Sequence, residues 1–394
     1  MSNDSLDANS ASERTGLFGR ATSPLAAARR LVPLVLEHAA EAEAERRLPS
    51  VLAEAFNESG LFRLCVPREL GGLEADPGTV FDVVQELARA DGSIAWVAMI
   101  LGVGTRMLGA LPQEGAREIY AQRDVTMCGS FVLGGRAVPV EGGYRISGRW
   151  PFMSGCDVAQ WIAGACVVEN EAQDIIVPLW PIQEGCIIDT WHVSGLRGTG
   201  SHDYEVPDVF VPHRRCIRMP LSEPTFPGQL YAFPPIAFLA ATIACCALGI
   251  ARGALDDLAH LAATKTPYGM TSKLASRPSA QLAFTEAEAA LRSARAWLFE
   301  STFEIWEKAG AREAISVKDR ALLRLAATNA TASAARAVDR VYAAAGGTAL
   351  YAKSPLQRRF RDIHAITQHA MVASHMNEIL GKILLDVEPD SPFL

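Results

Sequence analysis

The sequence lacks three features that would place it in familiar classes of protein. Its eight cysteines form no Cys-x-x-Cys pair, so neither a zinc centre nor a thioredoxin-like motif is indicated, and we expect no metal site. Lys and Arg number 37 against 44 Asp and Glu, and this net charge of −7 argues against a nucleic-acid partner. Scattered, reduced thiols without an export signal predict a cytoplasmic protein.

A membrane partner is also not predicted. No stretch of about 18 residues is apolar without polar interruption, which is the length that a membrane-spanning helix needs. The nearest run, residues 236–250, is short and rich in Ala and Cys, so we expect a buried helix there. Residues 1–24 contain no apolar core run and are predicted to be a disordered tail.

The rest of the 394 residues changes character twice. Residues 25–122 repeat apolar residues at three- and four-residue spacing, which predicts an N-terminal helical domain. Asp76-Pro77 is a helix-start signal within it. Residues 123–222 hold short β-rich runs between turn residues, with Gly142-Gly143 as a hairpin signal, and predict a small β-barrel or sandwich.

Residues 223–394 return to a helical pattern. Four long Ala-rich helices are predicted there, at residues 235–264, 280–308, 311–345 and 355–385. Their small side chains let helix axes approach closely, which indicates a four-helix bundle. The fold class is therefore α+β, with a β-domain between two helical parts.

Aromatic residues are scarce, at 7% of the chain, yet two of them fall in the string GRWPFMSGC at residues 148–156. Trp150 and Phe152 either fill the end of the β-barrel or form the wall of a site that holds something flat. The string alone leaves both interpretations open.

Five strings together resemble the acyl-CoA dehydrogenase family across residues 30–390. They are FRLCVPRELGGLEAD, YRISGRWPFMSG, VSGLRGTGSHDYEVPDVFVP, ALGIARGALDDLAHLA and GGTALYAKSPLQRRFRDIHAITQH. The resemblance implies an N-terminal helical domain, a middle β-barrel domain and a C-terminal four-helix bundle. It also implies a flavin between the barrel and the bundle.

The carboxylate that a dehydrogenase of this family needs as its base is missing. The two positions that align with it are Ala370 and Ala240, and neither can abstract a proton next to a carbonyl group. A chain of this kind with Ser154 in the flavin strand and His369 late in the last helix resembles the two-component (group D) flavin-dependent monooxygenases. A dehydrogenase with a relocated base and a degenerate flavin-binding scaffold remain the alternatives.

The monooxygenase resemblance implies an activity and its partners. Reduced FAD or FMN is supplied by a separate NAD(P)H flavin reductase and reacts with O2 to give a C4a-hydroperoxide. One oxygen atom then enters an electron-rich aromatic or heteroaromatic substrate, indole-like or phenol-like. Relatives carry a His in a GVH string where this chain has Gly104, so an indole or a heteroatom centre is favoured over a phenol. A homotetramer is expected.

The resemblance also assigns catalytic residues. Phe152 stacks near the isoalloxazine ring, and Ser154 reaches its N5 edge as a hydrogen-bond donor. His369 holds the reacting oxygen or takes a proton, because imidazole titrates near neutrality. We place His369 on the apolar face of the last helix, where a buried core histidine is the alternative interpretation.

Further residues are carried over as cofactor or pocket contacts. Cofactor binding is assigned to Phe152, Ser154, Arg197, Thr199, Ser201, Lys265, Tyr268, Gly346 and Gly347. The substrate pocket is assigned to Trp96, Met99, Phe131, Met153 and His369. Lys265 and Tyr268 replace the Arg and Phe of the family string, so the phosphate contact is a point charge without a guanidinium fork. A surface charge is the alternative interpretation of Arg197.

Overall fold

The computed structural model describes residues 23–122, 124–169, 171–219 and 224–388. The predicted disordered tail lies almost wholly outside these described residues. The element order within them is five α-helices, seven strands and six further α-helices, with short 3₁₀ helices between them. The predicted α+β fold class is confirmed.

The first helical region positions one side of the candidate site. Its helices are α1 (Pro24–Glu45), α2 (Ser50–Glu58), α3 (Pro77–Ala90), α4 (Gly92–Val103) and α5 (Gln113–Ile119). The predicted start of α3 is confirmed, because an oxygen of Asp76 accepts the backbone N–H of Thr79 at 3.0 Å. Asp91 caps α4 in the same way, accepting from Ile94 at 3.0 Å. Almost every residue of α4 is buried, so this helix lies in the interior.

The strands form one sheet in the order β5-β6-β2-β1-β3-β4-β7. They are β1 (Met127–Val140), β2 (Gly143–Trp150), β3 (Trp161–Val168), β4 (Glu171–Pro181), β5 (Cys186–Ile188), β6 (Asp203–Pro212) and β7 (Cys216–Met219). The predicted β1–β2 hairpin is confirmed, and its turn uses Gly142 at φ 78°. In the described part of the chain, no ladder joins the edge strands β5 and β7.

The sheet curls around three aromatic rings. Trp180 on β4 lies 6.4 Å from Tyr204 on β6, ring centroid to centroid, although these strands are far apart in the sheet order. Trp150 on β2 lies 5.2 Å from Trp180 and donates its indole N–H to the Ala165 carbonyl at 2.8 Å. Trp150 therefore fills the interior of a strongly curled, barrel-like sheet.

The C-terminal helices pack on the first region. They are α6 (Gln229–Ala232), α7 (Pro235–Thr264), α8 (Pro278–Ala311), α9 (Val317–Ala345), α10 (Pro355–Ile366) and α11 (Met376–Leu384). The predicted bounds of α7 are confirmed. This helix is long and apolar enough to cross a membrane, but 89% of its most apolar window is buried. Its contacts with α3, α8 and α9 make it the central core helix.

The prediction of one continuous helix over residues 355–385 is wrong, because the structure has two helices there. Residues 367–375 form turns between α10 and α11. The N–H groups of Gln368 and His369 bond three residues back, to Ala365 and Ile366, which tightens and ends the helix. Thr367 donates its hydroxyl to the His364 carbonyl at 2.7 Å. His369 thus lies in a turn, and the expected helical face does not exist.

Candidate functional site

Trp96 on α4 is the meeting point of the predicted site. Its indole Nε1–H donates to the Ser154 hydroxyl oxygen, with 3.1 Å between the two atoms. Its ring lies 5.4 Å from the His369 imidazole, centroid to centroid, at 59°. Trp96 therefore contacts both Ser154 and His369, which come from distant parts of the sequence; that these three residues form the site stays a prediction.

The turn that carries Ser154 is fixed by backbone hydrogen bonds. The Met153 N–H donates to the His202 carbonyl at 3.0 Å, and the Gly155 N–H donates to the Thr199 carbonyl at 2.9 Å. These two bonds flank Ser154 and join its turn to residues 199–202. The Ser154 side chain consequently has a defined position relative to Ser201.

Phe152 begins this turn with an unusual backbone. Its φ is 65°, a left-handed value that costs a non-glycine residue about 1–3 kcal/mol. Its ring is 59% exposed and meets the edge of Trp191 at 6.2 Å between centroids. The two aromatic residues of the GRWPFMSGC string therefore differ. Trp150 fills the interior of the sheet, whereas Phe152 is exposed.

A chain of hydroxyl groups runs from Ser154 into the protein. Ser154 Oγ lies 2.6 Å from Ser201 Oγ, which lies 2.6 Å from Thr199 Oγ1. Thr199 Oγ1 lies 2.9 Å from the Leu196 carbonyl oxygen. All three hydroxyl side chains are buried. Thr199 and Ser201, predicted to donate to cofactor oxygens, use their hydroxyl hydrogens inside the protein in this arrangement.

His369 is half-buried and neutral at ordinary pH. Burial lowers the pKa of His369 to about 4, and the positive charge of Arg324 acts in the same direction. The expectation that this imidazole titrates near neutrality is wrong. Its Nδ1 accepts the Met371 N–H at 3.2 Å, so the ring hydrogen resides on Nε2. His369 therefore offers an N–H donor to the site.

The predicted pocket residues are mostly apolar and buried. Trp96 and Met99 lie on α4, and Met153 lies in the Ser154 turn. Phe131 on β1 is partly buried and packs on the same core. A side chain added at Gly104 would meet no atom within 4 Å, so this position, where the family resemblance implies a His, borders open space.

Buried carboxylates lie near α4 but serve the structure. In the described ranges, Asp91 and Asp362 are the buried acidic residues. Asp91 caps α4 and pairs with Arg358 at 3.2 Å, and Asp362 accepts the Leu196 N–H at 2.7 Å. Burial, with the nearby Asp91 charge, raises the pKa of Asp362 to about 7. Neither carboxylate hydrogen-bonds to the Trp96–Ser154 pair, and Ala370 and Ala240 carry no acid.

Family models match both helical parts of the chain. The acyl-CoA dehydrogenase N-terminal domain matches residues 25–123, and the C-terminal domain matches residues 241–374. Indole-3-acetate monooxygenase of Pseudomonas putida is 33% identical, covering 89% of this chain and 90% of its own. The chain belongs to the flavin-dependent monooxygenases of the acyl-CoA dehydrogenase superfamily.

Two further relatives support the same branch of this superfamily. The FADH2-dependent resorcinol hydroxylase, oxygenase component, of Rhizobium sp. is 31% identical, covering 90% of this chain and 92% of its own. The crystal structure of 3-HSA hydroxylase from Rhodococcus sp. RHA1 has a TM-score of 0.90 at 29% identity, covering 95% and 99% of the two chains. The predicted monooxygenase relationship is confirmed.

The other residues assigned to the cofactor have surroundings of their own in this monooxygenase. Lys265 Nζ donates to the Ala345 carbonyl at 2.7 Å, next to Gly346 at φ 59°. A side chain at Gly347 would meet no atom within 4 Å, and Tyr268 is fully exposed. The Arg197 guanidinium lies 3.4 Å from the Val193 carbonyl oxygen. Their roles in cofactor binding stay predictions.

Three contributors to the site of this monooxygenase carry no recognisable signal in the sequence. Trp191 meets Phe152, Arg324 lowers the pKa of His369, and the Leu196 carbonyl ends the hydroxyl chain. Each acts through a contact with a residue distant in sequence or through its backbone, so residue type alone does not reveal it.

A cavity of about 470 Å³ lies elsewhere in the monooxygenase. Its lining residues include Arg68, Asp76, Gln229 and Trp306. None of the predicted catalytic or cofactor residues borders it, so the chemistry places the candidate site at Trp96 rather than at this cavity.

Proposed function

We propose that this monooxygenase uses reduced FAD or FMN to insert one atom of O2 into an electron-rich aromatic or heteroaromatic substrate. A separate NAD(P)H flavin reductase supplies the reduced flavin, in keeping with the oxygenase-component name of the Rhizobium relative. The observation that carries the proposal is the Trp96 contact that joins the Ser154 hydroxyl and the His369 imidazole without a carboxylate.

The residues present fit a flat, conjugated cofactor. The exposed Phe152 ring, held out by a strained backbone, offers a face on which an aromatic ring can stack. Ser154, two residues further along the same turn, would be the hydroxyl nearest to a ring stacked there. Lys265 and the uncrowded Gly346-Gly347 pair provide a cation and backbone access for a phosphate-bearing tail. When bound, the reduced flavin supplies the two electrons that reduce the second oxygen atom to water.

The apolar side chains keep water out of the reaction space. Trp96, Met99 and Met153 are buried apolar side chains, and Trp96 contacts both Ser154 and His369. Water exclusion favours oxygen transfer to the substrate over release of hydrogen peroxide. His369, neutral and carrying hydrogen on Nε2, donates a hydrogen bond to an oxygen atom in this space.

An indole-like substrate is favoured over a phenol. A phenol needs help in losing its proton, and Gly104 provides open space where relatives place an imidazole. The neutral His369 already has its Nδ1 occupied by the Met371 N–H, so it is a poor base. The Pseudomonas putida relative is named for indole-3-acetate, which agrees with this choice.

Assembly into a homotetramer in the cytoplasm belongs to the same proposal. Tyr268, Leu350 and Tyr351 are large, exposed side chains near the Lys265 and Gly346 ends of their helices. Such side chains become buried when bundles pack against each other. The eight cysteines are free thiols, as expected in a reducing compartment.

Isotope labelling tests the function. The purified chain, a flavin reductase, NADH and FAD or FMN are supplied with indole or indole-3-acetate under ¹⁸O2. We expect the product to gain one ¹⁸O atom, and none when the label is in water instead. If neither compound is oxygenated, and an acyl-CoA bleaches the bound oxidised flavin, the chain is a dehydrogenase with a relocated base. If no flavin binds, the chain is a degenerate scaffold.

A further inference from the structure

The backbone of Met371 connects His369 to the interior of the helical bundle. Met371 donates its N–H to Nδ1 of the His369 ring at 3.2 Å, and its carbonyl oxygen accepts from Nη2 of Arg324 at 3.3 Å. The N–H of Val372 belongs to the same peptide group as this carbonyl and donates to the His369 carbonyl oxygen at 2.9 Å. Arg324 therefore holds a peptide that is bonded to His369, next to the N–H that occupies the ring nitrogen.

Arg324 brings a positive charge into the protein interior. It lies on α9 and is buried, and burial lowers its pKa only to about 10, so the guanidinium is charged at neutral pH. Within the described ranges, Arg324 is the charged group that acts on the His369 ring, while α4 contributes the uncharged Trp96. A nearby positive charge disfavours a second one on the imidazole.

We propose that Arg324 positions His369 through the Met371 backbone and keeps the ring in its neutral form, with the hydrogen on Nε2. The Met371 N–H stays on Nδ1 while the turn is held, and the guanidinium charge opposes a proton at that nitrogen. This inference rests on the proposed function, because it needs His369 to donate to oxygen in the site. Arg324 acts through His369, so it is a positioning residue.

A neutral ring favours product over hydrogen peroxide. O2 that takes up two electrons from reduced flavin and two protons leaves the site as hydrogen peroxide. The Nε2–H group of a neutral imidazole donates a hydrogen bond but is a very weak acid, whereas an imidazolium ring releases a proton near neutral pH. A charged His369 would therefore supply a proton for peroxide formation, and Arg324 works against this loss.

Nuclear magnetic resonance of the full-length chain with ¹⁵N-labelled histidine tests the state of the ring directly. His369→Gln identifies the His369 signals among those of the eight histidines. We expect the unaltered protein to carry the hydrogen on Nε2 and to titrate with a pKa of about 4. In Arg324→Met the pKa should rise by about one pH unit, and both neutral tautomers should appear. Arg324→Lys keeps the charge and should restore the low pKa.

The matched control is Arg336→Met, further along the same helix. Arg336 is exposed and donates to the Ser333 hydroxyl at 2.9 Å, so its loss should leave the His369 signals unchanged. An unchanged pKa and tautomer in a folded Arg324→Met protein would overturn the inference. The unaltered protein gives a check that needs no variant, since a ring hydrogen on Nδ1 would also overturn it.

Single-turnover yields test the consequence for the reaction. The full-length chain is mixed with photoreduced FAD or FMN, indole or indole-3-acetate, and O2, and product and hydrogen peroxide are measured per flavin. The yield of the unaltered protein should change little between pH 8 and pH 5. In Arg324→Met it should fall to about half at pH 5, because a ring with a pKa of about 5 is half charged there. A level yield in this variant would overturn the inference. If no protein forms product at any pH, the proposed function fails, while the histidine spectra still decide whether Arg324 sets the state of the ring.

Discussion

The two sides of the candidate site are built in different ways. On the sheet side, residues 152–155 and 199–202 are joined by backbone hydrogen bonds, and each hydroxyl has its partner. On the bundle side, His369 lies in a break between α10 and α11, half-buried, with Nδ1 occupied and Nε2–H available. Trp96 touches both sides. The difference is between one side whose hydroxyl groups are all engaged with protein partners and another side that has an N–H donor available.

The largest expected effect comes from removing the residue that joins the two sides. Trp96→Ala should lower the free energy of unfolding by about 3–5 kcal/mol, since a buried indole is lost and a cavity remains. Trp96→Phe keeps most of the volume and should cost clearly less. Urea unfolding followed by circular dichroism measures both. If Trp96→Ala and Trp96→Phe lowered the free energy of unfolding equally, the volume of the Trp96 ring would not be what joins the sheet side to the bundle side.

The second prediction concerns the bundle side and its hydrogen-bond donor, the Nε2–H group of His369. His369→Ala should lower product formation about a hundredfold, as expected for loss of one well-placed hydrogen-bond donor, while the fold is kept. His364→Ala is the matched control, because His364 pairs with Asp339 at 2.8 Å on the outer face. Product is quantified by chromatography with saturating reduced flavin. Full activity of His369→Ala would make His369 a core residue, the alternative that the sequence left open.

The sequence predicted the two sides of the site to different extents. The string at residues 148–156 drew attention to Ser154 through its resemblance to a family, but the turn that carries Ser154 is held by bonds to residues 199–202, which no local pattern encodes. The bounds of α7 and the capped start of α3 follow from local signals. These two predictions were right because the hydrogen-bond partners lie within a few residues.

The bundle side could not be predicted in the same way. An Ala-rich, apolar pattern continues through residues 366–373, so periodicity indicates one helix where there are two. The break depends on partners such as the Thr367 hydroxyl and the His369 ring nitrogen, which compete with helical hydrogen bonds. The low pKa of His369 needs burial and the charge of Arg324, 45 residues away in sequence, which no local pattern encodes.

That low pKa gives a pH test specific to the bundle side. The folded-state pKa of His369 is about 4, below the unfolded value of about 6.5, so the native state binds fewer protons between these values. Its contribution to stability is present above pH 6.5 and is lost as the pH falls towards 4. From pH 7.5 to 4.5 we expect the unaltered protein to lose about 2 kcal/mol more than His369→Gln, which does not titrate. If the difference in unfolding free energy between the unaltered protein and His369→Gln did not change with pH, the lowered pKa of His369 would be contradicted.

The smallest expected effect is on the sheet side, where one hydroxyl is changed among several well-placed groups. Ser154→Ala should still bind flavin at saturating concentration but release several-fold more hydrogen peroxide per NADH consumed, because the hydroxyl that we propose to lie beside the cofactor is lost. Peroxide and product are measured together in the coupled assay. Ser333→Ala, a buried serine on α9 that accepts from Arg336, should leave coupling unchanged. Unchanged coupling in Ser154→Ala would remove this hydroxyl from the mechanism and leave His369 as the polar group that controls oxygen transfer.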